Sequence, residues 1–177
     1  MFKQFAVVMA LLGCLTPCWA ADPVKVGEQA PAFEMKGSDG KDYALKDFKG
    51  KQAVIVAWFP RAFTGGCTKE CKSMKESGDM LKKFNVAYFT ASTDPVEKNA
   101  EFAKSLELDY PILCDPQGKN AEMFGVLMEG RPQPTAARVT FVIGKDGKIL
   151  AVEDKVQTES HGADLAKLLD KLDIETK

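Results

Sequence analysis

The chain carries almost no net charge: 24 Lys and Arg residues stand against 25 Asp and Glu, a formal charge of -1 over 177 residues. Nucleic-acid binding draws on a basic surface that displaces counterions from phosphates, and this chain has no such excess. Histidine is scarcer still. His161 is the only one, which argues against a metal-hydrolase centre built on imidazoles. No Cys-x-x-Cys pair is present, so the spacing of a dithiol-exchange enzyme is missing. Five cysteines are too few to staple a small scaffold, and a chain of this length buries a core without staples. The unbroken apolar run of residues 5–12 falls well short of the roughly 20 residues that span a bilayer. With 45% hydrophobic and 28% charged residues, disorder and collagen-like structure are also excluded. What remains is one soluble globular domain whose few cysteines are better suited to chemistry than to scaffolding.

The first twenty residues read as an address. Lys3 gives a short basic start, the run of residues 5–12 follows, and Cys18-Trp19-Ala20 sets small residues before a cut at Ala20. This is the layout of a secretory signal peptide. It predicts export to the periplasm or another extracytoplasmic space. Leu11-Leu12-Gly13-Cys14 also resembles, weakly, the lipobox of bacterial lipoproteins, so membrane association is expected only if Cys14 is lipidated. Cleavage after residue 20 leaves Cys67, Cys71 and Cys114, an odd number in a compartment where disulfides persist.

The rest of the chain, residues 24–174, alternates strands and helices. Two short strands, residues 32–35 and 42–45, flank the turn Gly37-Ser38-Asp39-Gly40 as an N-terminal β-hairpin. Residues 53–59, AVIVAWF, form a continuous apolar run that reads as a strand buried on both faces. A helix is predicted from about Cys67 to Phe84, then a strand over 86–92. Asp94 as N-cap and Pro95 at the first helical position open a helix to 106. A short strand over 110–114, one helical turn over 120–124, a hairpin around Gly144-Lys145-Asp146-Gly147, and a helix over 163–172 complete the order. That alternation predicts an α/β three-layer sandwich with a mixed central β-sheet.

The chemistry concentrates in residues 58–74, WFPRAFTGGCTKECKSM. A buried strand ends at Pro60, a glycine pair loosens the loop, and Cys67 falls at the start of a helix. Helix N-termini present unpaired N–H groups and partial positive charge, which favour a nucleophilic thiolate over a thiol. Thr64 brings a hydroxyl to the same place, as a cap, a ligand or both.

Pro60-x-x-x-Thr64-x-x-Cys67 resembles the active-site signature of the peroxiredoxins. Gly66-Cys67-Thr68-Lys69-Glu70 is similar to the Q-type, or bacterioferritin-comigratory, branch of the AhpC/TSA-like superfamily. The segments at residues 26–33, 111–116 with 124–126, and 138–143 with 145–149 resemble the family's other blocks in the same order. The resemblance implies a thioredoxin-like fold and a thiol peroxidase active in antioxidant defence, with no metal or other cofactor. It implies Cys67 as peroxidatic cysteine. Thr64, Gly66 and the backbone at Cys67 would orient the peroxide, Arg138 would hold the thiolate, and Pro60 would shield it. The partners implied are a peroxide and a thioredoxin-like or other thiol reductant, with the chain a monomer or homodimer.

The pattern departs from the family at Cys71. Q-type enzymes with a second cysteine in this helix commonly place it five residues on; here the spacing is four. Residues four apart share a helix face about 6 Å apart along the axis, but an intact helix aims their side chains poorly for a disulfide, so the first turn must unwind. Cys71 is the expected resolving cysteine, with a buried structural role as the alternative. Cys114, at a strand end, is the second candidate, and a one-cysteine cycle the third. A rival from another class is a Sco-type copper-binding thioredoxin-like module using Cys67, Cys71 and His161. Otherwise His161 reads as a surface residue or cap near the last helix.

Overall fold

The computed structural model describes residues 23–177; the expected signal peptide, with Lys3, Cys14 and Cys18, lies outside the described residues. Seven strands form one sheet: β1 (Glu34–Gly37), β2 (Asp42–Ala44), β3 (Ala53–Trp58), β4 (Val86–Ser92), β5 (Ile112–Cys114), β6 (Val139–Ile143) and β7 (Ile149–Glu153), in the order β2-β1-β5-β4-β3-β6-β7. The pairs β3–β4 and β4–β5 are parallel and the others antiparallel, so the sheet is mixed as the sequence pattern predicts.

The apolar run at 53–58 is central because it is buried on both sides. Alternation splits it cleanly. Ala53, Ile55 and Ala57 face a core built with Met74, Leu81, Leu165 and Leu169. Val54, Val56 and Trp58 face a second core with Phe33, Phe124 and Phe141. The first core is roofed by α1 (Gly65–Glu76), α2 (Gly78–Leu81) and α5 (His161–Lys171); α3 (Val96–Ser105) covers the sheet beyond them, and α4 (Lys119–Met123) lies against the second core.

Topology then fixes where chemistry is possible. Strand β3 leads into α1 at its C-terminal end. Because β6 runs antiparallel to β3 with Val139 opposite Trp58, the start of β6 returns to that same end. Strand β7 runs antiparallel to β6, with Glu153 opposite Thr140, and delivers the chain to the start of α5 there as well. Two helix N-termini and one strand start therefore meet at the C-terminal end of β3.

Three local expectations are corrected. The helix expected over 67–84 starts earlier, at Gly65, and is interrupted at Ser77, where φ -90° and ψ 5° leave the helical region. Asp94 does not cap α3. Its carboxylate accepts the Ala62 N–H at 2.7 Å and pairs with Lys98, so a residue suited to one job locally is drawn into a tertiary bond that holds the loop between β3 and α1. The last helix starts at His161 rather than 163 because its first turn is buried against α1. Gly162 donates its N–H to Ser73 Oγ at 3.1 Å, and a Cβ there would lie 2.4 Å from the Ser73 carbonyl oxygen.

Candidate active site

Cys67 occupies the first turn of α1. Thr64 is the N-cap residue by backbone geometry, but its side chain makes no cap bond and instead donates to the Arg61 carbonyl at 2.9 Å. The amides that open the helix thus keep their positive face toward the loop rather than toward a capping oxygen. Phe63, just before, is held at φ 64°, a left-handed conformation uncommon outside glycine, with its ring against Phe102. Pro60 follows the strand end and joins the tight path into this loop.

Arg138 stands immediately before β6 and reaches across to α1. Its Nη2 lies 3.3 Å from Cys67 Sγ, and its Nη1 pairs with Glu70 Oε2. Space for this approach is left by Gly66, where a Cβ would come within 3.3 Å of Nη2; at neighbouring Gly65 a Cβ would meet nothing within 4 Å. The structure therefore brings Thr64, Gly66, Cys67 and Arg138 together, as the sequence motif implies.

Glu70 is the residue that sequence reasoning missed as a functional group. It is fully buried, and its second oxygen, Oε1, lies 3.1 Å from Nδ1 of His161. The signal was present. Cys67, Glu70, Cys71 and Met74 fall at helical spacing on the inward stripe of α1, and a carboxylate on such a stripe calls for a buried cation.

His161 is corrected in turn. It is 3% exposed, neither a surface residue nor a cap. Its Nε2 lies 3.1 Å from Thr140 Oγ1 and its Nδ1 faces Glu70, so both ring nitrogens point at protein partners rather than at the cysteines. Burial, reinforced by Arg138, pushes His161 down to about 4, so the ring is neutral near pH 7. Among the described residues no group of three or more His, Cys, Asp and Glu side chains is arranged to hold a metal ion.

The other two cysteines have different surroundings. Cys71 is fully buried one turn below Cys67, in a cluster with Phe59, Phe102 and Ile112. Burial pushes its thiol up to about 12. Its backbone carbonyl accepts the Tyr110 hydroxyl at 2.9 Å. Cys114 lies outside that cluster. Asn99 Nδ2 donates to its sulfur at 3.3 Å, and burial pushes its thiol up to about 11.

Comparison with known proteins agrees with this geometry. The model of the AhpC/TSA family matches residues 26–152. Peroxiredoxin Bcp of Escherichia coli is 37% identical over 144 residues, covering 79% of this chain and 92% of that protein. The crystal structure of peroxidoxin BcpB from Mycobacterium tuberculosis superposes with a TM-score of 0.75 at 34% identity, covering 85% of this chain and 97% of that one. The fold is also that of Xylella fastidiosa PrxQ, with a TM-score of 0.78 at 18% identity, over 85% of this chain and 98% of that one. These are peroxiredoxins, and none is a copper-binding module. With its thiol, its arginine and its fold accounted for together, the chain belongs to the AhpC/TSA family, in the bacterioferritin-comigratory (Q-type) branch of the peroxiredoxins.

Proposed function

We propose that this thiol peroxidase works through Cys67, and that Cys71 resolves the oxidised product. The observation that carries the assignment is the 3.3 Å approach of Arg138 Nη2 to Cys67 Sγ in the first turn of α1. No such cation contact is found at Cys71 or Cys114 among the described residues. In the first step the Cys67 thiolate attacks one oxygen of a hydroperoxide. The O–O bond breaks, the sulfur becomes a sulfenic acid, and the leaving oxygen takes a proton to give water or an alcohol. Arg138 and the opening amides of α1 stabilise the charge that passes from sulfur to the leaving oxygen. The Thr64 hydroxyl, its proton committed to Arg61, is left as an acceptor for the peroxide O–H. Pro60 limits access of water to the sulfur.

In the second step the Cys71 thiol attacks the sulfenic sulfur, a disulfide forms and water leaves. Both sulfurs lie in one apolar cluster, which supports Cys71 over Cys114. The burial of Cys71 and its bond to Tyr110 require α1 to unwind locally first. A dithiol protein of the thioredoxin kind, or another thiol reductant, then returns both cysteines to thiols. Export of the chain is supported by the apolar run at residues 5–12 and by a family match that begins only at residue 26; the N-terminus of the protein recovered from fractionated cells tests it.

The test of the chemistry is one equivalent of hydrogen peroxide followed by peptide mass mapping. A Cys67–Cys71 link with a loss of two hydrogens is expected. A Cys67–Cys114 link, or an unlinked sulfenic Cys67, removes Cys71 from the cycle. Peroxide turnover that survives Cys67→Ser overturns the assignment of Cys67 itself.

A further inference from the structure

Behind the arginine that touches Cys67 lies a buried polar chain that the peroxide reaction does not use directly. Arg138 Nη1 pairs with Glu70 Oε2, Glu70 Oε1 lies 3.1 Å from His161 Nδ1, and His161 Nε2 lies 3.1 Å from Thr140 Oγ1. Glu70 and Thr140 are fully buried and His161 nearly so. Neither Oε1 nor Nδ1 has any other polar partner among the described residues, so each is the other's nearest polar group.

A buried carboxylate oxygen without a donor is costly, so an N–H is needed at that position. For a neutral ring facing a carboxylate, one tautomer satisfies every atom. Nδ1 carries the proton and donates to Oε1, while Nε2 accepts the Thr140 hydroxyl proton. The reverse tautomer would set two lone pairs face to face at 3.1 Å. The helix contact supports the arrangement independently. Gly162 lets α5 close on Ser73 of α1, an approach any Cβ would block, and that approach carries His161 to Glu70.

We propose that His161 is a positioning residue for the peroxide reaction: as a neutral imidazole protonated at Nδ1, it fixes the Glu70 carboxylate that aims Arg138 at Cys67. This rests on Cys67 being the peroxidatic cysteine. With one oxygen held by His161, Glu70 presents the other to Arg138, so the guanidinium is braced with Nη2 turned to the sulfur. The charged groups around the ring are Glu70 on α1, Arg138 at the head of β6, Glu153 at the end of β7, Lys155 after it and Asp164 on α5. Asp164 and Glu153, like the nearer Glu70, favour the imidazolium, and burial and Arg138 oppose it.

The test compares His161→Leu with His161→Asn, whose amide N–H reproduces the Nδ1–H and not the Nε2 side. Stopped-flow peroxide reduction by the reduced full chain should slow at least about tenfold in His161→Leu and stay within about threefold of the parent in His161→Asn. The pH profile of Cys67 alkylation should move to higher pH in His161→Leu and return in His161→Asn. His161→Leu at the parent rate overturns the proposal. So do two equally slow variants with an unmoved pH profile, which would mark a packing role alone. If His161→Leu does not fold, long-range nitrogen–proton NMR on the parent protein decides. The Nδ1–H tautomer supports the brace, and the Nε2–H tautomer ends it. Loss of activity in Cys67→Ser with an unaffected His161→Leu would reject this inference while leaving the Cys67 assignment standing.

Discussion

Cys67 and Cys71 lie one turn apart on one helix, both buried, in one apolar cluster, yet they differ in what the fold sets against each sulfur. Cys67 sits where the helix opens, beside unpaired amides and within 3.3 Å of a guanidinium. Cys71 sits one turn deeper, where the amides are spent on the helix itself and the neighbours are aromatic and aliphatic, and burial takes its thiol up to about 12. On the proposed assignment, reactivity is a matter of 4 residues of position and of one long side chain arriving from the head of a different strand. Burial alone does not silence a thiol; burial without a compensating charge does.

The sharpest way to break this contrast is to remove each sulfur in turn. Cys67→Ser is expected to abolish peroxide reduction. Cys71→Ser should keep the first peroxide step within about threefold while leaving a sulfenic acid that dimedone traps. Equal loss in both variants, seen by stopped flow, would erase the asymmetry. Next in size, Arg138→Leu should slow the peroxide step about 100- to 1000-fold, the range for loss of one aligned charge-stabilising donor. The alkylation rate of Cys71 in the unfolded chain serves as an unchanged internal control.

Acid offers a third probe, through the brace rather than the sulfurs. The folded His161 titrates near 4, below the 6.5 of the unfolded chain, so the unfolded state takes up its proton first as pH falls. The stability this group contributes is complete above pH 6.5 and is lost as pH drops from there toward 4, by up to about 3 kcal/mol. Denaturant unfolding across that window should show a slope that His161→Asn flattens. The smallest effect is expected from Tyr110→Phe. Loss of the hydroxyl bond to the Cys71 carbonyl should cost about 1 kcal/mol of stability and speed formation of the Cys67–Cys71 link severalfold. An unchanged disulfide rate in quenched-flow mass spectrometry would show that the helix does not open at that bond.

The sheet and the first line of the site were legible because their signals are local. The run at 53–59, β-branched and closed by Pro60, reads as a buried strand, and Pro60, Thr64 and Cys67 lie within one loop and one helical turn. Arg138 was legible through its family block rather than through any local pattern, since nothing in its neighbours reveals what lies across the sheet. Glu70 and His161 escaped for a related reason. Glu70 showed only as a carboxylate on an apolar stripe and His161 looked ordinary in its own segment, and they meet only because β6 and β7 return to the end of β3. Asp94 shows the same limit in reverse: a sound local cap signal lost to the Ala62 N–H, a partner 32 residues away.

The two glycines ahead of Cys67 have opposite prospects under selection. Position 66 is closed, because a methyl group there would press on Arg138. Position 65 is open, and alanine would fit and firm the start of the helix by up to about 1 kcal/mol. A lineage favoured only for durability would fill it. A lineage favoured for rapid recycling would keep it empty, since a firmer first turn is slower to part when Cys71 must reach Cys67. If Cys71 resolves Cys67 as proposed, the vacant methyl at residue 65 sets shelf life against turnover.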